Sequence, residues 1–567
     1  MPSILTSIVS AALVVAVLYL LLRFNAPMWT FLVPILALVP PQFDQNWATY
    51  WHGLMHTSIV YAIYERGLPP QNPLMAGVPL RYMYGHHALI AWLMRVVPIS
   101  PPRAFALTDL VSLVLLAIII DRLACLFSAD RAFRVFAVLV AFVGVSPLVA
   151  GPLNAPVERL LHTNLEWRFI PETKFTGIND NQLGLVFFAA DLLGIAALAL
   201  EGRRGWWMYC LIGAAIIGAG FIYPPAWVGI MGCTGTAACY FVLRGARLRR
   251  AGVALLVLLA VGAAVTVPFI LSLTMGKSGA AAVRLVPSLR TLRRHSLNLG
   301  LYLVLPLVLA WTHRATLAQH WRKHADLLAL LLLSALVTEG MYMMMTIPSG
   351  AEYKMLGMSV LALSTPVALP LGELYHTHRA GALALAFVML LPVSADLARY
   401  FAHDSVADAV VSDGRWLRDR DPDQDALYRW IAQRTPVNAL FVDTYLTIPA
   451  LGRRQLLVGL DDRRSSGALA HIQHDGWLIR AHQFLTENTG VNRTRLAAFQ
   501  SVAETLVSSS PDSVVSQRTL ARLARYSDGR PVYVVAREPS VRARLARVPE
   551  MIPVYQGAAA TVYRFRP

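Results

Sequence analysis

The apolar residues of this chain arrive in blocks of about 17–24, the length that crosses a hydrocarbon core. The first runs from Ile4 to Leu22, and a shorter one, Pro27 to Pro41, can return the chain. Further spans are expected near 104–121, 134–151, 182–200, 206–222, 224–243, 251–274, 298–312, 325–345, 355–374 and 380–397. After Asp404 charges become frequent and long apolar runs stop. Asp425 to Arg434 has helical spacing through Leu427, Trp430 and Ile431, and a second helix is expected across 517–526. Residues 439–443, 531–536 and 560–565 read as strands. The pattern predicts a polytopic α-helical membrane bundle of about 11–13 transmembrane helices over residues 1–400. A soluble α/β domain over 404–567 follows it.

Composition agrees. Of 567 residues, 56% are hydrophobic and 15% charged, where an ordinary globular chain is about a quarter charged. Ile4 to Leu22 has no basic residue before it and Arg23 after it, the reverse of a secretory signal, so it reads as a first transmembrane helix. The net charge of +17 would suit nucleic acid, but the cations sit in short loops between apolar blocks, as in Arg244 to Arg250. That is the signature of membrane topology, with anionic lipid headgroups as partners and no nucleic acid. Arg122/Arg131/Arg134, Arg203/Arg204, Arg244–Arg250, Arg314/Arg322/Lys323 and Arg379 alternate onto one side, the cytoplasm. Residues 43–103, 152–181, 275–297, 346–354 and everything after 398 then lie outside. One conflict stands: the outer segment 275–297 carries Lys277, Arg284, Arg290, Arg293 and Arg294. The four cysteines all precede residue 400 and show no metal-ligand spacing.

The first outer segment holds most of the candidate chemistry. It reads Phe43-Asp44-Gln-Asn-Trp-Ala-Thr-Tyr-Trp-His52, then His56, Gly67-Leu-Pro-Pro-Gln-Asn-Pro73 and Gly77-Val-Pro-Leu-Arg-Tyr-Met-Tyr-Gly-His-His87. Asp44 stands at the mouth of a span among aromatics. A partly desolvated carboxylate there suits a general base, and equally a helix N-cap. His52 and His56, four apart, share a helix face, and their bland reading is interfacial packing. Glu339 falls inside an apolar span, where an acid is a functional candidate by default.

These motifs resemble the first outer loop of the GT-C superfamily, membrane glycosyltransferases that use polyprenyl-phosphate sugars: Asp after an N-terminal span, then His, Gly-x-Pro-Pro-x-x-Pro and Tyr-x-Tyr-Gly-His-His. Leu427 to Pro436, Pro449 to Arg453 with Gly459, and a closing strand Tyr555 to Phe565 are similar to the soluble domains many members carry. The resemblance implies transfer of a sugar, with inversion, from a polyprenyl-phosphate donor to a glycan, lipid or protein acceptor on the outer face. The site would be in a bacterial inner membrane, with the C-terminal domain periplasmic. Asp44 matches the base, and Glu172 or Asp180 in the next outer segment would supply a second acid. Arg81, Lys174, Arg290, Arg293, Arg294 and Lys354 are candidates for the donor phosphate. His52, His56, Tyr82, Tyr84, His86 and His87 are candidates for the acceptor or sugar. No metal ligands are assigned, and a divalent cation is left open. Arabinofuranose is the favoured sugar by analogy. A polytopic transporter or lipid flippase, or a non-catalytic envelope-assembly protein, are the alternatives.

Overall fold

The computed structural model describes residues 53–143, 181–201, 205–274, 284–285, 308, 311–346, 354–388, 422–460, 493–508 and 514–567. Helices up to residue 388 are α1 (Leu54–Arg66), α2 (Gly85–Val96), α3 (Pro101–Cys125), α4 (Arg131–Val143), α5 (Asn181–Glu201), α6 (Trp206–Ile222), α7 (Pro224–Leu243), α8 (Ala246–Thr274), α9 (Arg314–Met344) and α10 (Lys354–Thr377). Among the described residues six helices are long and apolar enough to cross a membrane, and Trp206–Ile222 and Arg379–Val388 are shorter apolar helices. The protein is a multi-pass membrane protein. The basic stretch 314–323, expected as a loop, is the start of α9, which kinks at His324 (φ −127°, ψ 30°). A polar stretch can continue a helix beyond the hydrocarbon, so hydropathy alone places the end too early. The expected span 298–312 lies almost wholly outside the described residues.

The chain divides into two compact units. One takes residues 106–270 and 283–412, the other 45–105, 271–282 and 413–567. The first outer segment therefore goes with the C-terminal residues, which a linear division at 400–404 does not anticipate.

In the first unit α10 packs on α4, α5 and α9, while α5 also packs on α6, α7 and α9. Polar side chains join the spans where water is absent. Thr234 donates to Asp191 at 2.8 Å, linking α7 to α5, and Ser359 donates to Glu339, linking α10 to α9. At one end, Arg134 grips Asp121 with two bonds of 2.6 Å. There too His376 meets Asp130 at 3.1 Å, His320 meets Glu373 at 3.6 Å, and Arg244 donates to Asp326 at 2.7 Å. The ends of α3, α7 and α10 and the starts of α4 and α9 thus share that end. The opposite end gathers the starts of α5, α7 and α10, because Tyr223 bonds Asn181 and lies under Lys354. This is the alternation the charge pattern predicts. Strand β1 (Arg284–Leu285) pairs with β2 (Met345–Thr346), which follows the far end of α9. The backbone of Arg284 therefore lies at the end opposite the basic loops, despite its charge.

In the second unit, α11 (Pro422–Arg434) precedes β3 (Leu440–Val442), a π-turn over 448–452 and β4 (Gln455–Leu456). Helices α12 (Arg493–Val507) and α13 (Gln517–Ser527) lead to β5 (Val532–Ala536), α14 (Pro539–Leu545), β6 (Met551–Gln556) and β7 (Thr561–Phe565). The sheet order is β4-β3-β5-β7-β6. The first three strands are parallel and the last two form an antiparallel hairpin. Its closing stretch is thus two strands, turning at Gly557, where the sequence suggested one from Tyr555 to Phe565. The strands β3 and β5 are buried throughout, as parallel strands covered by helices are. Leu440, Val442, Val532 and Val534 pack with Phe499, Leu506, Leu523 and Leu545.

The edge of β4 is covered by residues 71–79 of the first outer segment. Asn72 N–H donates to Val78 O (2.8 Å) and Leu80 N–H to Pro70 O (2.9 Å), closing the loop on itself. Leu456 N–H then donates to Pro73 O (3.0 Å), Ala76 N–H to Leu457 O (3.0 Å) and Gly459 N–H to Leu74 O (2.8 Å). Met75 and Val458 form an antiparallel bridge. The buried Gln455 amide donates to Asn72 O (2.7 Å) and Met75 O (3.2 Å). Ala76 joins the C-terminal core. An exposed strand edge presents unpaired donors and acceptors, and this loop satisfies them.

Candidate functional site

Helices α1 and α2 pack together and carry the histidines. His56 lies one turn into α1. Pro79 and the Tyr82–Tyr84 stretch bring the chain to α2, whose first turn holds His86 and His87. All three rings are buried, His86 and His87 fully. His56 Nδ1 and His87 Nε2 are 2.7 Å apart, with ring centroids at 4.9 Å and planes at 18°. That is an in-plane N–H···N bond, so the two imidazoles hold complementary tautomers. Phe105, at the start of α3, meets His56, His86 and His87 edge-on at 5.9, 5.2 and 5.8 Å. Tyr82 flanks His56 at 6.1 Å and His87 at 5.8 Å.

Burial in this aromatic shell disfavours the imidazolium. It pushes His86 down to about 4, and holds His87 well below the ordinary histidine range, with His86 adding to the effect. Burial also raises the Tyr84 phenol. His86 and His87 are thus neutral rings in an aromatic shell. Among the described residues, Nδ1 of His87 and, on the same segment, Nη1 of Arg81 are buried polar atoms without a protein partner. Such groups cost free energy unless something pairs with them. A sugar hydroxyl suits the imidazole nitrogen and an anionic oxygen suits the guanidinium.

The first unit has its own cluster, at the end opposite the basic loops. Tyr223 is fully buried and donates to Asn181 Oδ1 at 3.0 Å, and Lys354 Nζ sits 4.7 Å from the centre of its ring. Gly184 makes room for that ring, since a Cβ there would overlap it. Asn181 directly follows Asp180. An ammonium over an aromatic face is attracted by the ring quadrupole and held in position.

Of the residues singled out in the sequence, His56, His86, His87 and Tyr82 form one cluster, and Arg81 and Tyr84 lie on the same segment. Lys354 belongs to the other cluster. Asp44, His52, Glu172, Lys174, Asp180, Arg290, Arg293 and Arg294 lie outside the described residues. Phe105, Asn181 and Tyr223 were not singled out. Each looks like ordinary span or span-end composition, and no local signal separates them from core. Among the described residues no group of three or more metal-ligating side chains converges.

No family model matches the sequence, and no curated protein matches it significantly. In three dimensions the chain is similar to ArnT from Cupriavidus metallidurans bound to undecaprenyl phosphate. The TM-score is 0.50 and the identity 12%, with 94% of this chain and 97% of that one covered. It is also similar to the arabinofuranosyltransferase AftD from Mycobacteria at TM-score 0.46 and 15% identity, covering 98% of this chain and 40% of that one. The Archaeoglobus fulgidus oligosaccharyltransferase in complex with zinc and sulfate follows at TM-score 0.39 and 12% identity, covering 84% of this chain and 71% of that one. The likeness to the first, over nearly the full length of both chains, shows a GT-C-like fold.

Proposed function

We propose that this GT-C-fold protein is a glycosyltransferase that moves a sugar from a polyprenyl-phosphate donor to an acceptor on the outer face of a bacterial inner membrane. The observation that carries the reading is the pairing of that fold with an outer segment in which Arg81 Nη1 and His87 Nδ1 are buried without a partner among the described residues. The undecaprenyl phosphate bound to the protein of like fold supports a lipid-phosphate donor.

The chemistry asks little of the protein beyond placement and charge. The acceptor hydroxyl oxygen attacks the anomeric carbon, the bond from that carbon to the phosphate oxygen breaks, and the polyprenyl phosphate departs with the electron pair. Inversion follows from a single displacement. Asp44 takes the hydroxyl proton, with Asp180 or Glu172 as the second acid. The candidates for the departing phosphate are Lys354, which would act as a point charge, Arg81, which would act as a fork, and Lys174, Arg290, Arg293 and Arg294. The His56–His87 pair, Tyr82, Tyr84 and His86, with His52, are the candidates for contact with the sugar or acceptor, since aromatic faces and neutral imidazoles suit a polyhydroxylated ring. Arabinofuranose remains the favoured sugar.

Membranes containing the wild-type chain, supplied with cell-envelope acceptor, are expected to glycosylate it. Asp44→Asn is expected to abolish transfer while leaving insertion and abundance unchanged. Full transfer by Asp44→Asn would remove the base from this scheme.

A further inference from the structure

Away from the histidine cluster, the second unit gathers arginines where the end of α1 meets the segment around β4. Arg66 closes α1. Arg453 follows the π-turn in the left-handed region (φ 57°) and lays its guanidinium 4.7 Å from the ring centre of Tyr61. Arg454 is buried and cannot turn away, because it caps the end of α11. Its Nη2 donates to Ala432 O (2.6 Å) and Thr435 O (2.8 Å), its Nε to Thr435 Oγ1 (3.2 Å) and its Nη1 to Arg453 O (3.1 Å). Arg530 is fixed in the same way after α13, donating to Ser527 O (3.2 Å) and Gln455 Oε1 (3.0 Å).

Two of these cations are therefore anchored by helix ends and act on the third. Arg66 is pushed down to about 10, first by burial and then by Arg454 and Arg530, with Glu65 opposing them. Its Nε is buried and has no protein partner among the described residues. Glu65 also faces Arg454, and Asp528 faces Arg530. Four guanidiniums thus stand against two carboxylates, an excess of two positive charges. A folded chain gains nothing from crowding cations in a partly buried place unless an anion joins them.

We propose that Arg66, with Arg453, Arg454 and Arg530, forms an anion site that binds a phosphate monoester group. The excess of two charges matches a phosphomonoester, which carries about −1.5 to −2 at neutral pH, and guanidiniums suit its oxygens. The group can come from a membrane headgroup or from a soluble phosphate, and the chemistry is the same. The site goes beyond the proposed transfer reaction and does not depend on it.

Full-length protein is reconstituted in phosphatidylcholine nanodiscs and its thermal unfolding followed by tryptophan fluorescence, in chloride and in inorganic phosphate at equal ionic strength. Phosphate is expected to raise the Tm of the wild type in a saturable way. Arg66→Gln is expected to keep or raise its Tm in chloride, since it relieves the repulsion, and to lose the phosphate increment. Arg66→Lys, which keeps the charge without the fork, is expected to bind about tenfold more weakly. Arg249→Gln, exposed on α8, should retain the whole increment. Discs containing phosphatidic acid distinguish the sources. If they raise the wild-type Tm in chloride and not that of Arg66→Gln, the site takes a headgroup. If only inorganic phosphate does so, it takes a soluble group. The proposal is overturned if neither form stabilises the wild type, if Arg66→Gln keeps the increment, or if Arg66→Gln loses stability in chloride as a purely structural arginine would. None of these readouts involves sugar transfer.

Discussion

Replacing Gln455 with alanine should release the outer-loop segment 72–76 from the sheet it covers. The Gln455 amide is buried and bridges three partners: it donates to Asn72 O and Met75 O and accepts from Arg530 Nη1. Asn72 O keeps a bond from Met75 N–H (3.3 Å) after the substitution, so Met75 O and Arg530 Nη1 bear the loss. Each polar group left unsatisfied costs about 1–3 kcal/mol. Arg530 is half-buried and recovers part of its share from water, which puts the total near 2–4 kcal/mol. The backbone bonds of Leu456, Ala76 and Gly459 remain, so the loop opens more often without detaching. Hydrogen–deuterium exchange of the full chain in nanodiscs reads this directly. The amides of Ala76, Leu456 and Gly459 should exchange roughly 30- to 700-fold faster, at a factor of ten per 1.4 kcal/mol. Those of β5 and β7 should be unchanged. Unaltered protection at Ala76 and Gly459 would refute the bridging role, and equal acceleration in β5 and β7 would show global loss instead.

Acid should weaken the histidine cluster. His86 and His87 titrate lower in the folded chain than the ordinary value of about 6.5, so the unfolded chain binds more protons as pH falls; their contribution is complete above about pH 6.5 and is lost as pH drops toward 4. A Tm that does not fall between pH 7 and pH 5 would contradict the buried neutral rings. In the C-terminal sheet, Arg537 grips the fully buried Asp443 with bonds of 2.9 and 2.7 Å and lies 3.7 Å from the ring centre of Tyr445; Asp443→Ala strands that cation and should cost about 3–5 kcal/mol, checked by chemical denaturation of the reconstituted protein. Gly184→Ala should push the Tyr223 ring away from Asn181, costing about 1–3 kcal/mol and reducing transfer while the spans still insert, as a topology-reporter assay would show.

Much of this architecture is legible in the sequence because two physical rules act locally. Hydrocarbon thickness fixes the span length, so 206–222 and 224–243 coincide with helices. Parallel strands buried on both faces leave unbroken apolar runs, so Leu440–Val442 and Val532–Ala536 stand out. What escapes is non-local. The docking of residues 72–76 onto β4 uses backbone groups that no side-chain pattern reports, and Gln455 reads as an unremarkable polar residue. The two-residue β4 is too short for any periodicity. His56 and His87 are visible as individual residues, but their 2.7 Å contact spans 31 positions and depends on how α1 meets α2. Tyr223 is hidden differently: as an aromatic beside two prolines at a span end it reads as a boundary, and only packing puts Lys354 over its ring.

Mass spectrometry reads the donor chemistry of this protein directly. Purified full-length protein in nanodiscs is incubated with a panel of polyprenyl-phosphate monosaccharides, including the arabinofuranosyl form, together with cell-envelope extract, and free polyprenyl phosphate is quantified. Release from one donor is expected, with the sugar recovered on the acceptor and no release by Asp44→Asn. No consumption of any donor in the presence of acceptor would contradict it.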